Sequence, residues 1–79
     1  MDDKLREAVS RIMFSSDTDK LKQVILEFYR KHDKDTFEYP KERYELMTSN
    51  DAMNTEWLVD DVIVYYLMSS GMADRVILV

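Results

Sequence analysis

The stretch Asn54 to Gly71, NTEWLVDDVIVYYLMSSG, sets the limits on what this chain can become. It holds the only Trp, two of the five Tyr and the longest apolar run, Val62 to Met68. A chain of 79 residues has room for one domain and one core, so 1–79 reads as a unit with this segment through its middle. There is no Cys, so neither disulfides nor thiolate metal ligands can staple the fold. Stability has to come from apolar packing, and a chain this short buries a modest share of its surface.

Two structures compete for the central segment. Asn54 or Thr55 can cap a helix, Glu56 suits its first turn, and Gly71, the only glycine, suits the position just past its end. These signals predict a helix over 55–70. Against them, Val62-Ile63-Val64-Tyr65-Tyr66 is rich in strand formers, and a hairpin pairing 62–68 with 75–79 is the alternative. As a helix, the segment places Leu58, Val59, Val62, Ile63, Tyr65 and Tyr66 on one broad side. Asp60 and Asp61 fall opposite, beside Trp57, Val64 and Met68. Aromatic and Met anchors ringed by acid suit a protein-binding patch made of Trp57, Asp60, Asp61, Val64 and Met68. The other reading is that the fold covers the apolar members and leaves only the aspartates in water.

The rest of the chain adds three helices. Leu5, Ala8, Val9, Ile12 and Met13 recur at helical spacing and predict a first helix to about Phe14. Ser16 with Asp19 resembles a capping box for a second helix ending near Lys31, with Leu21, Val24, Ile25 and Phe28 as its buried stripe. Phe37-Glu38-Tyr39 alternates and can form a short extended piece, and Pro40 then suits the start of a third helix over 41–48. The fold class is therefore all-α, a small four-helix domain; the hairpin alternative makes it α+β. The tail Val76-Ile77-Leu78-Val79 is apolar and has to pack on the core or complete an interface.

Reaction chemistry finds little support. Asp33-Lys34-Asp35 opens like a calcium loop, but Phe37 and Tyr44 occupy positions where acidic ligands belong. His32, the sole histidine, has no second His or Cys to share a metal. There is no phosphate-binding Gly-rich loop. The expectation is a protein that is not an enzyme and carries no cofactor or metal.

Charge is uneven. Residues 1–32 carry seven Lys/Arg and six Asp/Glu, while 33–79 carry four and ten, a net of −6. An acidic half opposes nucleic acid and anionic membranes and favours a basic protein partner. The opening MDDKLREAV lacks the basic flank and apolar core of a signal peptide, and Val62 to Met68 is too short to span a bilayer. The chain reads as cytoplasmic.

The segment His32 to Glu42, HDKDTFEYPKE, resembles the surroundings of the Tyr-Tyr-Pro motif of colicin and pyocin nuclease immunity proteins. Tyr39 and Pro40 match that motif, and Glu38 stands where the first tyrosine would be. Leu21, Val24, Ile25 and Phe28 are similar in phase to that family's second helix, and Asn54 to Val59 looks like the start of its last. The resemblance implies a small acidic four-helix protein that neutralises a basic nuclease toxin. It also implies Tyr39 as an interface anchor, with Asp35, Glu38 and Glu42 as an acidic rim. Two other functions stay open: a phage or mobile-element regulatory adaptor gripping a larger host protein through the last helix, and a structural homo-oligomer, at its simplest a homodimer, sealed by the apolar tail.

Overall fold

Apolar spacing decides the first two helices. The computed structural model describes residues 2–79, and in it α1 spans Asp2–Met13 and α2 spans Thr18–Lys31. Leu5 and Val9 of α1 bury against Leu21, Ile25 and Tyr29 of α2. Asp17, not Ser16, caps α2: its carboxylate accepts the Lys20 amide at 3.0 Å. Ser15 instead donates its hydroxyl to the Ile12 carbonyl at 2.7 Å, closing the end of α1.

After α2 the chain forms strand β1, Phe37–Tyr39, and then α3, Lys41–Thr48. Phe37 and Tyr39 are fully buried and Glu38 between them is exposed, the alternation of a half-buried strand. Pro40 sits just ahead of α3, where its missing amide costs nothing. A 3-10 turn over Asn50–Asn54 and an extended link lead into α4, Val59–Ser69.

The central segment is thus a helix, and it starts later than its polar residues suggest. Asn54 and Thr55 do not cap it. The 3-10 turn uses both, with the Thr55 hydroxyl donating to the Asp51 carbonyl at 3.0 Å. The N-cap is Leu58, whose side chain cannot accept a hydrogen bond. Asp61 covers the deficit from inside the helix by accepting the Leu58 amide at 2.7 Å, the return half of a capping box. The far end follows expectation. Gly71 has φ of +75°, and the Met72 amide reaches back to the Leu67 carbonyl at 2.9 Å, closing a Schellman turn.

No hairpin joins 62–68 to 75–79. Residues 62–68 are helical, and strand β2, Val76–Leu78, pairs in parallel with β1, Phe37 opposite Val76 and Tyr39 opposite Leu78. The bonds run past the strands, from the Val79 amide to the Tyr39 carbonyl and from the Lys41 amide to the Val79 carbonyl, both 3.0 Å. Four helices and this small parallel ribbon share one hydrophobic cluster. The helix α4 packs against α1, α2, α3 and both strands, which is why the β-branched run Val62-Ile63-Val64 tolerates helix: burial outweighs a weak local preference.

A Cβ at Gly71 would touch nothing, so only backbone strain opposes a side chain there. We expect Gly71→Ala to destabilise the fold by about 1–2 kcal/mol, the cost of placing an L-residue in the left-handed region. Urea denaturation at constant m-value checks this.

Candidate protein-binding site

The site grows from one buried carboxylate. Asp61 is only 2% exposed. It accepts the Tyr39 hydroxyl from β1, the Leu58 amide, and the Arg43 guanidinium from α3, with Nη2 at 2.6 Å and Nε at 3.0 Å. Arg43 also donates to the Glu56 carbonyl at 2.6 Å, fixing the link that precedes α4. Burial alone would push the Asp61 carboxyl up. The bonds from Arg43, Tyr39 and the Leu58 amide outweigh it and hold the group below the usual carboxylate range. Tyr39 moves the other way: burial, then its bond to Asp61 and the charge on that carboxylate, raise its phenol and keep it neutral.

This network corrects three expectations about the partner-binding set. Asp61 does not reach water, because the Tyr39 hydroxyl, the Leu58 amide and the Arg43 guanidinium enclose it. Tyr39 is no interface anchor, because its ring is fully buried under the ribbon with its hydroxyl on Asp61. Val64 is fully buried in the core. The two faces read from the helical wheel are also partly exchanged. Asp61 to Val64 and Leu67 face inward, while Leu58 and Tyr65 are 53% and 49% exposed.

The other predicted residues stay accessible in part. Glu38 and Glu42 are exposed, and Trp57 and Met68 are half-buried. Asp60 is half-buried and bonded by Arg6, Nε at 2.8 Å. Asp35 is half-buried near His32, its Oδ2 lying 3.9 Å from Nδ1. Neither Asp35 nor Glu38 lines the two hollows described next.

Helix α3 creates those hollows. It has eight residues, none of them buried, so its apolar side chains only partly reach the core. On one side, Pro40, Leu46 and Leu58 surround a hollow of about 410 Å³ with Glu42 and Asp60 at its edge. On the other, Tyr44, Met47 and Thr48 face Tyr65, Met68 and Ser69 across a hollow of about 460 Å³, with Trp57 also in its lining. The Trp57 and Tyr65 rings meet edge to face at 5.7 Å between centroids. Met53 in the 3-10 turn is 96% exposed. Sequence reasoning missed Tyr44, Met47 and Tyr65 here. Their signal is present as matched spacing, i, i+3, i+4, in two helices, but the helical reading puts Tyr65 on the broad side opposite Asp60 and Asp61 and so outside the patch.

Charge completes the picture. Between Glu42 and Val59 the exposed ionisable side chains are Glu42, Glu45, Asp51 and Glu56. The one cation in that span, Arg43, is turned inward onto Asp61. The described residues contain no cluster of three or more His, Asp or Glu able to hold a metal ion. No helix among them is long and apolar enough to cross a membrane.

Comparisons with protein-family models, curated proteins and solved structures return no match for this chain. The functional reading rests on the geometry.

Two outcomes test the network. Tyr39→Phe removes a donor to a buried carboxylate and should cost about 1.5–3 kcal/mol in denaturant unfolding. Because the folded Asp61 carboxyl is held low, its stabilisation is complete above the unfolded value near ~3.9 and is lost as pH falls through the folded one. Asp61→Asn should lower stability at pH 7 and flatten the acid limb of a stability–pH profile.

Proposed function

We propose that this chain is a protein-binding module, an inhibitor or immunity-type protein that neutralises a basic partner docked on the α3 face. The observation that carries the reading is the inward turn of Arg43. It spends the only positive charge between Glu42 and Val59 on a buried acid. What is left outside from Glu42 to Glu56 is four exposed acids, Glu42 at the edge of a hollow, with Lys41 the one exposed cation of α3, and the exposed Met53, Leu58 and Tyr65. Aromatic and Met side chains supply contact area, and rim acids supply steering and register toward a positive surface.

The resemblance to nuclease immunity proteins fits the same role through different residues. Tyr39 is a core residue here, so the docking surface moves from β1 to α3 and the residues that follow it. A second reading, a homodimer, draws on β2. Its Ile77 and Leu78, with Val79 after them, are exposed and have apolar side chains. An unguarded apolar strand edge is a surface for pairing.

The two readings separate by experiment. Wild-type protein and a variant carrying Glu42→Lys, Glu45→Lys, Asp51→Lys and Glu56→Lys are immobilised and exposed to host extract at low salt. The first reading expects a basic protein that is identified, binds wild type when purified, and loses at least roughly a hundredfold in affinity to the variant, about 2.7 kcal/mol. Identical retention by both proteins overturns it. For the second reading, sedimentation equilibrium of wild type should show a dimer that Ile77→Lys dissociates; a monomer at high concentration excludes it.

A further inference from the structure

The hollow between α3 and α4 has a shape that the acidic rim alone does not explain. Its walls are two helical ridges, Tyr44, Met47 and Thr48 on α3 and Tyr65, Met68 and Ser69 on α4. Each set has the spacing i, i+3, i+4, which puts its members in one row along a helix surface. Two facing rows of this kind make a groove into which the ridge of a third helix packs. Trp57 apart, which lies in the link before α4, the walls are helices whose backbone groups are bonded within themselves, so they offer an extended peptide no strand edge to pair with. A helix brings its own backbone bonds and needs only side-chain contact.

The lining also fits such a guest. Met47 and Met68 are unbranched and adjust to the side chains placed on them. Trp57 is fixed in position by its Nε1 bond to the Ala52 carbonyl at 3.4 Å and by its ring contact with Tyr65. Glu45 follows Tyr44 in the α3 wall, Glu56 precedes Trp57, and Asp51 lies in the turn whose Ala52 anchors the indole; all three acids are exposed. An apolar groove whose lining residues Tyr44 and Trp57 have exposed acids as chain neighbours suits a helix that is apolar on one face and basic at its margins.

We infer that the α3–α4 hollow seats one face of a basic amphipathic helix supplied by the partner. The inference rests on the basic-partner reading above and adds which surface is used and what form the bound segment takes. Trp57, the sole tryptophan, lies in the groove and reports on its occupancy.

The probe is a stapled helical peptide of Leu and Lys, with leucines at i, i+3, i+4 and i+7, and a scrambled peptide of the same composition. Titration at low salt should shift Trp57 emission saturably, and the scrambled peptide should bind at least roughly tenfold more weakly. Ser69→Arg, at an exposed wall position, should weaken the helical peptide by a similar factor. Thr36→Arg, which adds the same charge outside the groove, should not. Met68→Gln keeps the side-chain shape and the net charge and should also weaken binding; its circular dichroism verifies the fold. Equal binding of the two peptides, or equal effects of Ser69→Arg and Thr36→Arg, overturns the helix-in-groove inference while leaving the basic-partner reading standing. No emission change with either peptide also overturns it, and the fourfold charge-reversal capture then judges the broader reading on its own.

Discussion

One ionised carboxylate inside a small core sets the terms for this molecule. Asp61 joins β1 through Tyr39, α3 through Arg43, and the entrance of α4 through the Leu58 amide. A buried charge is tolerated only when it is paired and its remaining acceptor sites are filled. Asp61 meets both conditions, and meeting them dictates neighbours. α3 must lie where Arg43 can reach inward, and the link must hold the Glu56 carbonyl against the same guanidinium. Replacing the whole network by apolar groups of similar volume can be neutral for stability, whereas removing one partner leaves the others stranded. Its contribution is to orient α3.

That orientation has a surface consequence. Most of the fold's apolar burial lies in α1, α2, α4 and β1, and α3 contributes no fully buried side chain. Stability and surface chemistry are thereby assigned to different elements. Substitutions at Glu42, Glu45, Thr48 or Ser69 alter the outside of the molecule without touching the core, since all four are exposed. A face of this kind can vary in sequence at small cost to folding.

What was legible from the residues follows the range of the interactions. The helical periods of α1 and α2, the alternation at β1, and the stop at Gly71 are local signals and are found in place, though in α2 full burial falls on Leu21, Ile25, Leu26 and Tyr29 and leaves Val24 and Phe28 partly exposed. The start of α4 was misplaced because Thr55 and Asn54 look like caps. The actual device is a carboxylate reaching back from the third helical residue to a leucine that cannot cap itself. Asp60 and Asp61 are chemically the same and adjacent. Only Arg43 and Tyr39, distant in sequence, decide that one is buried and the other half-exposed on Arg6. The parallel pairing of β1 with β2 is non-local in the same way. The apolar tail announced that it needed a partner without saying which.

The ribbon also sets an order of assembly. Its two strands are separated by all of α3 and α4, so bringing Phe37 opposite Val76 closes a long loop at the entropy cost of doing so. The contacts of α1 with α2 are nearer in sequence and need no such closure. The helical hairpin is therefore the easier part to form, and the ribbon that seats Tyr39 beside Asp61 is a closing step.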